Sequence, residues 1–251
     1  MPDHELRLAS PAKPRLTISI VSHGQIALVK LLLSDLAKLE TRQFEVLVTI
    51  NIPEDESAYR EQPFPIHIIR NPTRKGFGAN HNAAFEQSNG DYFAVLNPDI
   101  RISSLDLETL LEPFCKSRVG AVAPVILSPD GRIEDSARRF PTAWGLARRF
   151  LLAQRKPDYS WNDAPIEVDW AAGMFVLFRR EAFQALNGFD DKRFFMYFED
   201  VDICARLRQR GLSVVLQPRL SVVHDAQRAS HRSMKHLRWH MVSAARYLWN
   251  F

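Results

Sequence analysis

Cysteine is scarce in this chain: two in 251 residues, Cys115 and Cys204, far apart and neither in a CxxC pair. That excludes a disulfide framework and a zinc ribbon. Both are expected to be small core residues in a reducing compartment. Long apolar runs are missing too. None approaches the ~18 residues needed to span a bilayer, and the opening MPDHELRLASPAKPRL lacks the apolar stretch of a secretory signal. The expectation is a cytoplasmic protein, free or peripheral at a membrane. Nor is there much excess of one charge: 33 Lys and Arg against 29 Asp and Glu give +4, with a pI near 9.2. That balance admits a phosphate ligand, nucleic acid or a membrane surface without choosing among them. No recognisable nucleic-acid motif accompanies it, so no nucleic-acid partner is expected. Internal repeats, low-complexity segments and a clear interdomain linker are likewise lacking.

What is present is an ordinary globular composition, 46% hydrophobic and 25% charged, enough for one large domain. Residues 1–15 are polar with three prolines and read as a loose lead-in. LTISIVSHG, FEVLVTIN, PIHIIRN and DYFAVLNPDI then read as strands. ALVKLLLSDLAKL between the first two has Leu28, Leu31, Leu32, Leu36 and Leu39 on or near one helical stripe, and GANHNAAFEQS reads as a second helix. Strands that are apolar throughout and alternate with helices predict an α/β fold, with a mostly parallel sheet covered on both faces. In such sheets ligands sit at the carboxyl ends of the strands. There the chain has Ser22-His23-Gly24, Asn51, Asn71 and Asn97-Pro98-Asp99, which should converge on one crevice. Further strands are expected in GAVAPVIL, VDWAAGMFVLFRR and SVVLQPRLSVVH. Between the first two of these lies a basic amphipathic stretch, RRFPTAWGLARRFLLAQRKP. From Gln227 onward Arg228, Arg232, Lys235, Arg238 and Arg246 occur without any acid, on a segment with helical spacing. A solvated basic face and a surface resting on anionic membrane both fit it.

Four features could carry chemistry, and each has a purely structural alternative. Asp99 in LNPDI could bind a divalent cation, or Asn-Pro-Asp could be a turn. NPTRKGFGANHNAAF places Gly76 and Gly78 before a helix whose N-terminus could receive an anion. It meets neither the GxGxxG nor the GKS/T spacing, so a glycine-rich helix entry is the alternative. RFFMYFEDVDICARLRQRG runs an aromatic wall into Glu199, Asp200 and Asp202. These acids could cap a helix, with Asp202 and Arg206 spaced for a surface pair. Apolar neighbours would instead raise a carboxylate's proton affinity toward that of a general base. His224, after an apolar strand, could be structural or a ligand. Histidines 231, 236 and 240 read as faces of the basic helix.

Together, in this order, SHG, GFGANHN, LNPDI, DWAAGMFVLFRREAFQALNGFDDKRFFMYFEDVDICARLRQRG and VVH resemble family 2 glycosyltransferases of the GT-A fold. The likeness is greatest to bacterial rhamnosyltransferases of O-antigen and lipopolysaccharide synthesis, and covers roughly residues 16–250. It implies a glycosyltransferase domain over 16–226, with a nucleotide-binding half to about 100, an acceptor half from 101, and a basic helical segment over 227–251. It implies inverting transfer from a nucleotide sugar, dTDP-L-rhamnose, to a lipid-linked or polysaccharide acceptor. Asp99 would bind Mg²⁺ or Mn²⁺ with His224, Asn97 standing where the motif has its first acid. Asp200 would be the base, with Glu199 beside it. Ser22, His23, Gly24, Asn51, Gly76, Asn82, Asn97 and Arg232 would line the donor. Trp170, Gly173 and Asp202 would face the acceptor. Relatives carry an Asp near the end of the second strand; here Glu54 is the nearest substitute. A homodimer is compatible with the resemblance. The rivals are another donor sugar on the same fold and a binding module without catalysis.

Overall fold

The computed structural model describes residues 13–142, 144–145, 158–225 and 234–249. Arg232 and His231 lie outside them, as does most of the basic stretch before residue 158. The first half alternates as the sequence predicts. The elements are β1 Leu16–Ser22, α1 Ile26–Ala37, β2 Phe44–Ile50, β3 Ile66–Arg70, α2 Phe77–Glu86 and β4 Tyr92–Leu96. β1 pairs in parallel with β2 and β4, and β2 in parallel with β3. Every residue of β2 is buried, as expected of a strand covered on both faces. α1 buries Leu28, Val29, Leu32, Leu33 and Leu36. Leu31 is exposed instead, which corrects its place on the predicted stripe. One helical residue away from Leu32, it turns about 100° off the core face.

The second half adds strands of both directions. β5 is Ile100–Arg101, followed by α3 Leu107–Leu111, β6 Val119–Leu127 and β7 Ala137–Arg138. VDWAAGMFVLFRR is not one strand but three: β8 Ile166–Val168, β9 Trp170–Ala171 and β10 Phe175–Arg179. β9 leaves the main sheet to pair with β7. Two helices follow, α4 Arg180–Ala185 and α5 Glu199–Gln209, then β11 Ser213–His224 and α6 Met234–Leu248. Among the described residues the main sheet has nine strands in the order β3-β2-β1-β4-β10-β6-β11-β5, with β8 also on β11. β10 runs antiparallel to both neighbours. Cys204 is buried, whereas Cys115 is exposed, correcting its expected place in the core.

β5, only two residues long, is anchored by side-chain bonds to α1. The Arg101 guanidinium donates to both oxygens of Asp35 on α1, at 2.7 and 2.9 Å, and the Ile102 N–H adds a third bond at 3.1 Å. Burial by itself would raise the Asp35 carboxyl. The bonds from Arg101 and Ile102 together outweigh it and hold the group below its usual range. The stabilisation is therefore present above the unfolded-state value near 4 and lost as pH falls through the lower folded one. Asp35→Ala should cost about 1.5–3 kcal/mol at neutral pH, the range for hydrogen bonds to charged groups. In urea unfolding the gap to wild type should narrow in acid; a gap independent of pH would contradict this anchor.

Candidate active site

The carboxyl ends of β1 to β3 meet in a polar network. The Asn51 N–H donates to the Ser22 carbonyl at 2.9 Å, and Asn71 N–H to the Ile50 carbonyl at 3.1 Å. Asn51 Oδ1 accepts from Asn71 Nδ2 and from the Lys75 N–H, both at 2.9 Å. Its amide nitrogen reaches the Lys75 carbonyl at 3.0 Å and His23 Nδ1 at 3.2 Å. One asparagine thus ties the ends of β1, β2 and β3 to the loop before α2. Gly24 turns the chain away at φ +72°, a conformation suited to glycine. Ser22 is fully buried, its Oγ accepting from the Gln25 N–H at 3.2 Å at the start of α1. Glu54 follows β2; its Oε1 accepts from Tyr59 at 2.8 Å while its Oε2 is buried without a hydrogen-bond partner.

Two glycine-loop expectations are corrected. A Cβ on Gly76 would lie 2.4 Å from the Phe195 carbonyl oxygen, and that same carbonyl accepts from the Phe77 N–H at 2.9 Å. Gly76 therefore serves a backbone crossing, and a helix N–H expected to meet phosphate is already used. Asn82 is committed to a neighbouring loop instead. Its amide donates to the Phe189 carbonyl at 2.8 Å and accepts from the Phe189 N–H at 2.9 Å, pinning the NGFD loop to α2. Asn80 is the residue that faces the network, receiving Asn71 Nδ2 at 2.5 Å.

Asp99 and His224 do come together, and the register shows why. His224 stands opposite Ile100 where β11 pairs with β5, and the Asp225 N–H donates to the Asp99 carbonyl at 2.8 Å. His224 Nε2 lies 3.3 Å from Asp99 Oδ2. On the ring's other side, Nδ1 lies 2.8 Å from Glu134 Oε2. Burial opposes charge on the imidazole, but the two carboxylates outweigh it and raise the group to about 9. Sequence reasoning missed Glu134. It sits just beyond a tight turn, Ser128 to Arg132, in a segment with no other marker.

The donor set here suits a divalent cation, which would displace the proton from His224 on binding. Asp99 Oδ1 is buried and has no hydrogen-bond partner, as expected of a carboxylate oxygen reserved for a ligand. Among the described residues no group of three or more His, Cys, Asp and Glu side chains is arranged to hold a metal. Asp99 and His224 would thus supply two ligands, leaving the rest to phosphate oxygens and water, a common arrangement for such ions. Glu134 would orient the imidazole from behind.

The other wall is built on FFMYFEDVD. Tyr197 and Phe198 both have positive φ, 70° and 68°, a strained turn for aromatic residues. Phe198 occupies the N-cap of α5, so no acid caps the helix by its side chain. Glu199 is buried, with Oε2 unpartnered. Asp200 accepts from the Gly173 N–H at 3.0 Å and the Val201 N–H at 2.9 Å. Burial raises the Asp200 carboxyl above its usual range, against the N–H donors of Gly173, Val201 and Asp200 itself and the charge of Arg138. Burial and then the Asp200 charge push Glu199 much higher. The two carboxyls sit close enough to titrate as a pair, both shifted upward by burial.

The remaining residues sort by position. The Asn97 N–H donates to the Met174 carbonyl at 2.9 Å, next to the Gly173 whose N–H holds Asp200, so LNPD and Asp200 share one edge. Trp170 is buried, its indole N–H donating to the Arg139 carbonyl at 3.0 Å. That leaves it a wall residue rather than the acceptor contact expected. Asp202 points into the core, not into the crevice and not onto the surface. It is 1% exposed and bonded to Arg206 at 2.7 Å, correcting both the surface pair and the acceptor role. His81 also escaped notice: it is buried, 2.8 Å from Ser19 Oγ, and burial holds it down to about 3, hence neutral.

The mostly parallel mixed sheet with flanking helices is the GT-A fold, and the chain is a glycosyltransferase. The family model described as Glycosyl transferase family 2 matches residues 17–186, and the chain belongs to that family. It is 32% identical over 248 residues to Rhamnosyltransferase WbbL of Escherichia coli (strain K12), spanning 92% of this chain and 91% of that one. It is 34% identical over 169 residues to N-acetylglucosaminyl-diphospho-decaprenol L-rhamnosyltransferase of Mycobacterium tuberculosis (strain ATCC 25618 / H37Rv), spanning 63% of this chain and 55% of the relative. Among solved structures, GalNAc-T7 with UDP, GalNAc and Mn²⁺ matches with TM-score 0.67 at 16% identity, over 86% of this chain and 45% of that one. Mannosyltransferase PcManGT from Pyrobaculum calidifontis, in complex with GDP-Man and Mn²⁺, matches with TM-score 0.62 at 19% identity, over 94% and 65%. The two structural likenesses establish the shared fold.

Two predictions follow from this geometry. Glu199→Gln should raise the melting temperature at neutral pH. A carboxyl raised on folding binds more protons in the native state, so stability falls as pH climbs from about 4 toward the folded value. Each kcal/mol recovered is worth roughly 2–4 °C in a domain of this size, and the gain should vanish near pH 4. A variant no more stable than wild type at neutral pH would contradict the buried pair. Glu134→Gln should weaken Mn²⁺ affinity about 10–100-fold in a titration followed by melting temperature with a nucleoside diphosphate present. Unchanged affinity would remove Glu134 from behind the metal ligand.

Proposed function

We propose that this glycosyltransferase moves L-rhamnose from dTDP-L-rhamnose, with inversion, onto a sugar of a lipid-linked or polysaccharide acceptor, at the cytoplasmic face of the membrane. The observation that carries the reaction is the Asp200 carboxylate, fixed by the Gly173 and Val201 N–H groups beside the edge that bears Asp99. The acceptor oxygen attacks the anomeric carbon of the donor. Its proton passes to Asp200, the new C–O bond forms, and the bond to the diphosphate breaks, its electron pair leaving with the diphosphate. Mg²⁺ or Mn²⁺, held by Asp99 and His224 when bound, offsets charge on that leaving group. Asn51 and the loop it ties to the strand ends would receive the nucleotide.

Rhamnose is favoured by the names of the two relatives, both rhamnosyltransferases above 30% identity. The second relative's name carries a diphospho-decaprenol acceptor, which favours a lipid-linked one here. Asp200→Asn should keep donor binding while turnover drops about 10²–10⁴-fold, the usual worth of a general base. Wild-type turnover in that variant would remove Asp200 from the reaction. In a panel of dTDP, UDP and GDP with Mn²⁺, dTDP should give the largest thermal stabilisation. Stabilisation by UDP or GDP alone would overturn the rhamnose assignment.

A further inference from the structure

α6 has two faces with different partners. Its inner face lies on the aromatic loop that precedes the base. Trp239 stacks on Phe195 with centroids 5.1 Å apart, and the Arg74 guanidinium sits over both rings at 5.5 and 5.9 Å. His240 meets Tyr197 and Phe198, each at 5.3 Å, and Tyr247 meets Phe198 at 5.6 Å. Ser243 Oγ donates to the Met196 carbonyl at 2.9 Å. His240 keeps the solvent exposure expected of it while its ring packs against this loop.

The outer face carries Arg238, Met241, Val242 and Ala245, and Trp249 just past the helix end continues the same stripe. Here large apolar groups are open to solvent: Met241 is 62% exposed and Trp249 91%. An exposed Trp and Met on one stripe are costly in water unless something receives them. A second exposed tryptophan is close by in the chain's course. Phe140, Pro141 and Thr142 line a cavity with Tyr247 and Leu248 at the end of α6, and Trp144, two residues further, is 77% exposed.

Charge selects the occupant. From Gln227 to the end there are five Arg and Lys and no acid, and residues 138–157 hold six with no acid. Arg238 lies on the apolar stripe itself. Exposed Trp and Met on one stripe with the exposed Arg238, in a chain segment without acids, suit the headgroup layer of an anionic bilayer, where rings enter the acyl boundary and cations meet phosphate. An equally basic face on a second copy would repel this one.

We propose that the outer face of α6, with Trp249 and Met241 as its apolar anchors, docks this protein on an anionic lipid surface. This rests on the reading of a membrane-borne acceptor, and it gives that reading a structural basis. The same helix contacts residues 195–198, immediately before Glu199 and Asp200, so the docked surface lies one helix away from that acid pair.

Sedimentation of the full chain with lipid vesicles tests it. The protein should pellet with vesicles containing phosphatidylglycerol, not with phosphatidylcholine alone, and high salt should release it. The double variant Met241→Asp, Trp249→Asp should bind at least about tenfold more weakly, since burying either side chain is worth more than one tenfold step. It should keep the wild-type melting temperature and nucleotide-induced stabilisation, because both residues lie on the solvent side. Wild-type protein that ignores phosphatidylglycerol, or a double variant that binds as tightly, would overturn the proposal. So would a solution dimer that the double variant dissolves while vesicle binding is absent. Vesicle binding needs neither donor nor acceptor, so its failure leaves glycosyl transfer standing. Loss of nucleotide stabilisation in wild type would instead count against transfer alone.

Discussion

The two-residue pairing of β5 with the end of β11 is the contact on which the candidate site depends. It sets His224 opposite Ile100 and so brings a residue 125 positions away to Asp99. So short a strand has little pairing energy of its own. Its neighbours hold it: Arg101 and Ile102 bond to the buried Asp35 on α1, and the Asp225 N–H closes on the Asp99 carbonyl. The register cannot slip by one residue without turning His224 to the opposite face.

The opposing wall is held by different means. Phe195 meets the backbone at Gly76 so closely that no side chain fits there. Tyr197 and Phe198 then take left-handed conformations to deliver Glu199 and Asp200 to the start of α5. Strain of this kind persists only when surrounding contacts overdetermine it. Those contacts come from α2 below and α6 above. The result is an acid pair, Glu199 buried and Asp200 partly so, whose carboxyls burial raises above their usual range at a cost in stability.

Much of this was legible in the sequence. Apolar strands alternating with helices announced the parallel half of the sheet, and polar residues at their ends announced the crevice. Asp99, His224 and Asp200 stood out by residue type at strand and helix ends, and the family resemblance joined them. What was not legible depended on contacts across the chain. Glu134 follows an ordinary turn, and only the β6 hairpin carries it to His224. Gly76 and Asn82 looked like ligand residues because small and polar residues near a helix start serve packing and binding alike. Asp202 looked like a surface partner of Arg206, since an i,i+4 spacing says nothing about which face is buried. The antiparallel β10 and the split of β8, β9 and β10 follow from tertiary pairing that no local pattern encodes.

The central claim is that Asp99 and His224 hold one divalent cation facing the base. Pulsed electron paramagnetic resonance on Mn²⁺ bound with a nucleoside diphosphate tests it most directly. The expected spectrum shows coupling to one imidazole nitrogen, lost in His224→Ala and retained in His23→Ala. Mn²⁺ bound beside the diphosphate without any nitrogen coupling in the wild-type protein would contradict it.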